Sequence, residues 1–312
     1  YLQELGVELL YLNPIFFAFS THRYDTCDYG RIDPMLGTEE DFRTLCEDAH
    51  ARGMKVILDG VFSHVGSRSR YFQDAVSNPD SKYRSWFDFK HYPDTYTSWW
   101  GITDLPCIRK DNEDFLRYII DDEDSIAVHW LRAGADGWRL DVVDELPDRF
   151  VLRLRERIRK EKPDALLIGE VWEDASNKIA YSQRRHYFTG GQLTSVMNYP
   201  LKNAIIAFLS ERDAEFLFFT MRILYSHYPK AVSDMQMNLL STHDTERILT
   251  VLAGSPQGNE DNAVLSAARL SEEERRNAKR LLMLAVILQM FLPGIPCIYY
   301  GDEIGMRYVE GL

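Results

Sequence analysis

A chain of 312 residues, 45% hydrophobic and 27% charged, has an ordinary globular composition and enough length for one large barrel or two domains. Its net charge of -12 offers phosphate no broad basic surface, so nucleic acid and anionic membranes are excluded as expected partners and a neutral ligand fits better. Cys27, Cys46, Cys107 and Cys297 are scattered without a CxxC pair and read as free thiols in a reducing, cytoplasmic setting, and no apolar run is long enough to span a bilayer.

The chain starts at Tyr1 inside a helical pattern and ends just after an apolar strand, which reads as a fragment. Val7 to Pro14 is an apolar, β-branched and aromatic run that suits a fully buried parallel strand, and its exit loop carries Tyr24 and Asp28. Thr38 caps a helix with an acidic first turn that stops at Gly53, and a second strand follows over Lys55–Asp59. From Val65 to Asn112 periodicity fails and aromatics accumulate, which predicts a small subdomain. Glu113 to Arg132 reads as one amphipathic helix. The strand at Gly137–Val142 comes next, then a helix from Pro147 to Lys162 whose Arg and Lys residues form a solvated face. Further strands lie at Ala165–Glu170, Leu193–Asn198, Met237–Asp244 and Pro296–Tyr300, with helical segments near Leu201–Ser226 and Ser271–Met290.

Seven parallel-type strands with polar residues at their exit ends predict an α/β fold, a (β/α)8 barrel missing one strand. Residues 1–64 and 113–312 carry these strands, and the small subdomain 65–112 lies between them in the chain. A doubly wound sheet is the competing architecture, but no glycine-rich phosphate turn follows any strand.

The polar residues at the strand ends are Tyr24 and Asp28, Asp59 and His64, Arg139 and Asp141, Glu170, and His243 with Asp244. Two carboxylates in different environments are what glycosidic cleavage requires. Arg139, two residues from Asp141 on one strand face, is expected to keep Asp141 ionised, whereas Glu170 beside Ile168, Val171 and Trp172 is expected to hold its proton more tightly. A metal at Asp59, His64, His243 and Asp244 is the weaker reading, because each imidazole stands alone in its segment.

The segments DGVFSH (Asp59–His64), GWRLDVVDE (Gly137–Glu145), GEVWED (Gly169–Asp174) and LLSTHD (Leu239–Asp244) resemble, in order and spacing, the four short motifs of the α-amylase family of glycoside hydrolases. YLNPIF, HRYDTCDYGRIDP, VMNYP and GIPCIYYGDEIGM add matches nearly end to end. The resemblance implies a (β/α)8 barrel of which this fragment lacks the first strand and last helix, with 65–112 as the small domain inserted after the third barrel strand. It further implies a retaining hydrolase of α-1,4 and some α-1,6 glucosidic bonds, acting on maltooligosaccharides, cyclodextrins or pullulan with some transglycosylation. Asp141 is implied as nucleophile, Glu170 as general acid and base, and Asp244 as stabiliser of the distorted sugar. His64 and His243 are implied to hydrogen-bond sugar hydroxyls, Arg139 to orient Asp141, and Tyr24 to stack on the sugar, with Asp59 and Asp28 organising the site. YLNPIF, VMNYP and Glu145 look most like the cyclomaltodextrinase, neopullulanase and maltogenic amylase group, although Leu105–Arg109 follows that group's signature only loosely. An α-glucosidase or oligo-1,6-glucosidase, and a catalytically silent amylase-like binding module, are the alternatives. No cofactor is expected. Calcium is left open but not expected, since Ser63 stands where many members carry a calcium-binding Asn. A homodimeric full-length parent is left open.

Overall fold

The computed structural model describes residues 1–254 and 270–306; the second expected barrel part, 113–312, therefore includes residues outside the described ones. The described chain divides into two compact units, Tyr1–Glu170 with Ile179–Thr194, and Val171–Lys178 with Ser195 onward.

In the first unit, β1 (Leu9–Leu12) leads through an antiparallel pair, Phe16–Phe17 with Asp28–Ile32, to α1 (Glu39–Ala51) and β2 (Lys55–Gly60). Helix α1 begins where Thr38 and Asp41 form a reciprocal capping box beside three acidic residues that complement the helix dipole, and the chain turns out of it at Gly53, φ 77°. After the irregular stretch come α2 (Ile126–Arg132), β3 (Gly137–Leu140), α3 (Asp148–Glu161) and β4 (Leu166–Gly169). The four strands form a parallel sheet in the order β1, β2, β3, β4, and the segments between them supply the crossovers that parallel pairing demands. The unit closes on a hairpin, β5 (Ile179–Ala180) with β6 (Gln183–Arg184).

The second unit holds β7 (Ser195–Val196), α4 (Tyr199–Glu211), α5 (Ala214–His227), β8 (Met237–Leu239), α6 (Glu272–Phe291) and β9 (Ile295–Cys297). β8 pairs in parallel with β9, and Met197, just past β7, bridges in parallel to Met237. Helix α6 starts at the expected capping box of Ser271 and Glu274. Strands lie at all seven expected places, and six of them pair in parallel with another strand of their own unit.

Four sequence expectations are corrected. β1 is half-buried along its length rather than fully buried, since among the described residues β2 is its one ladder partner. The expected single helix Glu113–Arg132 is interrupted: Arg117–Asp121 winds as a π-turn, Asp122 is extended, and the Ser125 hydroxyl bonds the Ile120 carbonyl at 2.9 Å before α2 begins. Within Val65–Asn112 a helix forms over Arg70–Ser77, capped by Ser69 and burying Tyr71, Phe72 and Ala75; it is too short to show a period in sequence. The basic face of α3 is not wholly solvated, because Arg155 is buried and donates to the Ala165 carbonyl at 2.7 Å.

The four cysteines are all free, Cys27 and Cys46 of them buried. Among the described residues no helix is long and apolar enough to cross a membrane.

Candidate active site

The site begins with strand register. Asp59 on β2 lies opposite Arg139 on β3, and both sit toward the carboxyl ends of strands whose central residues are apolar and buried. Parallel pairing thus places a carboxylate and a guanidinium side by side from positions 80 residues apart. Arg139 Nη1 donates to both Asp59 oxygens, at 2.8 and 2.9 Å, and to Asp141 Oδ1 at 3.0 Å. Arg139 Nη2 lies 2.9 Å from Glu170 Oε2, an ion pair by distance whose N–H is not aligned for a hydrogen bond. Glu170 follows β4, whose Gly169 is in register with Leu140, so three adjacent strand ends deliver three acids to one cation. Arg139 is 0% exposed and Asp59 1%, so the cluster is shielded from water.

Burial alone would weaken the charge on Arg139, but Asp59, then Tyr11 and Glu170, hold its pKa well above the ordinary guanidinium value. Asp141 moves the other way from the sequence expectation. Burial pushes its carboxyl well above the usual range; Arg139 pulls it down, and the like charges of Asp59 and Glu170 push it up again. The cation lies two residues away in sequence, whereas the two further acids, Asp59 and Glu170, reach Asp141 only through the fold.

The turn after β3 is strained. Val142 has φ 36° and ψ 59°, a left-handed conformation that costs a β-branched residue most, and its N–H donates to Glu170 Oε2 at 2.7 Å. Tyr24 and Tyr11 both donate to Asp59 Oδ2 at 2.7 Å, and the Arg139 guanidinium lies 5.8 Å from the Tyr11 ring centre. Burial, then the Asp59 charge, raises the pKa of Tyr24 and keeps its hydroxyl a donor. Tyr11 was not singled out from sequence; the available signal was a lone hydroxyl inside the apolar run VELLYLNP. Val142 gave no signal at all, since nothing about a valine announces a left-handed turn.

His64 is buried and neutral. Its Nε2 hydrogen goes to the Tyr24 carbonyl at 3.2 Å while Nδ1 accepts from the Ser63 hydroxyl at 2.8 Å, and burial lowers its pKa to about 4. Ser63 is fully buried, and among the described residues no group of three or more His, Cys, Asp or Glu is arranged to hold an ion.

Asp28 stands apart from the cluster: its Oδ1 accepts from the Gly30 N–H at 3.0 Å and the Tyr71 hydroxyl at 3.3 Å, with Arg70 also at 3.3 Å. His243 and Asp244 belong to the second unit, where His243 Nε2 lies 3.1 Å from Asp244 Oδ2 and the Asp244 N–H donates to the Thr242 hydroxyl.

The family described as "Alpha amylase, catalytic domain" matches residues 1–310. The chain is 39% identical to an amylopullulanase of Thermoanaerobacter thermohydrosulfuricus, covering 98% of this chain and 22% of that protein. It is 36% identical to a cyclomaltodextrinase of Geobacillus thermopakistaniensis, covering 98% of this chain and 48% of that protein. Among solved structures, the type III pullulan hydrolase of Thermococcus kodakarensis superposes with a TM-score of 0.86 at 35% identity, over 99% of this chain and 51% of that one. The chain thus spans about half the length of these relatives or less. A parallel sheet with crossover segments, a buried Arg139 joined to three acids at its strand ends, and a family match over nearly every residue lead to one assignment: the chain belongs to the alpha-amylase catalytic-domain family.

Proposed function

We propose that the parent protein is a retaining glycoside hydrolase of α-1,4 glucosidic bonds, and of α-1,6 bonds alongside them, in maltooligosaccharides, cyclodextrins or pullulan. The observation that carries this reading is one buried guanidinium, Arg139, at 2.8, 3.0 and 2.9 Å from carboxylate oxygens of Asp59, Asp141 and Glu170. Three acids around one cation cannot all ionise cheaply in a buried site, so the cluster retains a proton that solvated carboxyls would lose. Glycosidic cleavage needs this unequal sharing: one carboxylate forms a bond to the anomeric carbon while a carboxylic acid protonates the departing oxygen.

In the proposed reaction Asp141 is the nucleophile and Glu170 carries the proton. As the glycosidic C–O bond breaks, its electron pair goes to the leaving oxygen, which takes the Glu170 proton, and Asp141 becomes esterified to the sugar. Water, giving a proton to Glu170, then attacks the anomeric carbon and releases Asp141; a second sugar's hydroxyl in place of water gives transglycosylation. Asp244 stabilises the positive charge that develops on the sugar, His64 and His243 bind its hydroxyls, and the Tyr24 ring packs against its face. Arg139 aims Asp141, and Asp59 and Asp28 organise the site. No cofactor enters these steps. The seven parallel-type strands support a (β/α)8 barrel, with 65–112 as a small inserted domain between barrel parts 1–64 and 113–312. The unpaired cysteines support a cytoplasmic location.

The test is turnover of maltotriose, β-cyclodextrin and pullulan by the full-length parent beside Asp141→Asn and Glu170→Gln. Each variant is expected to lose about a thousandfold or more in kcat. A wild type that turns over none of the three, or variants as active as wild type, overturns the reading.

A further inference from the structure

In the second unit, the loop that carries His243 and Asp244 is fastened on both sides to one carboxylate, Asp302. β8 and β9 pair in parallel, with Leu239 opposite Cys297, so the chain leaves both strands at the same end of the pair. Ser241 lies two residues past β8, and its hydroxyl donates to Asp302 Oδ2. Arg247 lies beyond Asp244, and its Nη1 donates to Asp302 Oδ1 at 3.2 Å and to the Tyr300 carbonyl. Asp244 therefore stands midway between two residues, three before it and three after it, that hold opposite oxygens of the same acid.

The acid is placed for these contacts and not for solvent. The Arg247 and Asp302 side chains are 8% and 9% exposed, and the guanidinium lies 4.2 and 4.5 Å from the ring centres of Tyr299 and Tyr300. Burial raises the Asp302 pKa while the Ser241 and Arg247 bonds oppose that rise, so the carboxylate depends on the two groups it holds. Asp302 reaches this position on a short turn, Asp302–Ile304, set between Gly301 and Gly305 at φ 88° and 70°. Between its two anchors the loop braces itself. The Thr242 N–H donates to the Thr245 hydroxyl at 2.9 Å, the Asp244 N–H to the Thr242 hydroxyl at 3.2 Å, and the Thr245 N–H to the Thr242 carbonyl at 3.2 Å. Closing β8 onto β9 does not need an ion pair. Gln289 already spans the two strands with neutral bonds, its amide donating to the Asn238 and Cys297 carbonyls at 2.9 Å each, and it avoids the desolvation that burying two charges costs.

We propose that Asp302 is a positioning residue for the reaction: by holding Ser241 and Arg247 on either side, it fixes where the Asp244 carboxylate stands. The proposal rests on the glucan-hydrolase reading above for the role of Asp244. A carboxylate that stabilises positive charge developing on a sugar must already be in place when the charge forms, because its effect falls with distance and reorganisation at that moment adds to the barrier. Asp302 acts through Asp244 and not on the sugar itself. The segment after β9 thereby gains a part in the rate of the reaction.

The experiment uses the full-length parent and two readouts. The first is kcat and KM on maltotriose for wild type, Asp302→Ala, Asp302→Asn, Asp244→Asn, the double variant Asp302→Ala with Asp244→Asn, and Gln289→Leu, which loosens the same two strands without touching the loop. The second is calorimetric binding of 1-deoxynojirimycin, a glucose-shaped cation, to the same proteins. Asp302→Ala is expected to lower kcat about a hundredfold with KM changed less than about threefold, and to weaken the cation about tenfold. Beside Asp244→Asn the same substitution should add less than about threefold to either loss, because the group it positions is already gone. Asp302→Asn, whose amide can accept from Arg247 and donate to Ser241, should recover most of the kcat, and Gln289→Leu should keep it within about twofold of wild type. A wild type that binds the cation with this pattern but cleaves nothing sustains the positioning role and sinks the hydrolase reading. A wild type that cleaves maltotriose while Asp302→Ala loses no more kcat than Gln289→Leu, or loses its full share again beside Asp244→Asn, overturns the positioning role alone. Absence of both binding and cleavage overturns both.

Discussion

The backbone N–H of Val142 donates to Glu170 Oε2 at 2.7 Å, so the proposed acid is held by the residue that follows the proposed nucleophile. The bond is made with Val142 at φ 36°, where a valine is strained. Glu170 is thereby tied to the turn at Asp141 by main chain as well as through Arg139, which fixes the spacing of the two acids against side-chain motion.

Because Val142 stands in the left-handed region, glycine should tolerate position 142 better than alanine. Val142→Ala deletes two methyl groups and Val142→Gly one carbon more, a loss that by itself would favour alanine, so a more stable glycine variant reports the backbone term. Val142→Gly is expected to be more stable than Val142→Ala by about 1 kcal/mol in thermal or urea unfolding of the parent protein. Equal stabilities, or the reverse order, would show that the turn is relaxed.

Arg139 compensates three acids at once, and Arg139→Met should expose that. Losing one partner of a buried ionic cluster costs about 3–5 kcal/mol at neutral pH. The sign of its pH dependence follows from Asp141, whose folded pKa is already raised and rises further without the cation. A raised carboxyl contributes stability that is complete below its unfolded value of about 3.9 and lost as pH climbs through the folded value. The deficit of Arg139→Met should therefore shrink on acidification. A deficit that is flat from pH 8 to pH 5 would rule out electrostatic compensation as its cause.

His64 makes the opposite contribution. Its pKa falls to about 4 in the folded chain, against about 6.5 unfolded, so its share of stability is present above 6.5 and lost as pH falls toward 4. Across that window the wild type should lose up to about 3 kcal/mol more than His64→Gln, whose amide can still donate to the Tyr24 carbonyl and accept from Ser63. Parallel stability curves for the two proteins would mean that His64 is not held neutral.

Tyr11 and Tyr24 share one acceptor, Asp59 Oδ2. Tyr11→Phe and Tyr24→Phe should each cost about 1.5–3 kcal/mol as hydrogen bonds to a charged group. Their double variant should depart from the sum by about 0.5 kcal/mol or more, because each hydroxyl polarises the oxygen that the other uses. Strict additivity in a double-mutant cycle would separate the two tyrosines.

Much of the architecture was legible in the chain because strand and crossover patterns are local. The runs at Leu9–Leu12, Lys55–Gly60, Gly137–Leu140 and Leu166–Gly169 are mostly apolar and lead into the polar residues Asn13, Asp59, Asp141 and Glu170, and Thr38 and Ser271 mark their helices through side chains that bond within three residues. The contact of Arg139 with Asp141 was legible for the same reason, being a contact across two residues. What tertiary structure decided was the charge balance around that pair. Parallel register sets Asp59 opposite Arg139, the next strand brings Glu170, and Tyr11 arrives from 48 residues before the carboxylate it bonds. Each raises or lowers the cost of ionising Asp141 by through-space interaction, which decays with distance in three dimensions and takes no account of separation along the chain. Sequence alone determined that a cation and a carboxylate meet at this strand end; only the fold determined that they share their surroundings with two more acids, and so that Asp141 is harder to ionise than its neighbour Arg139 implies.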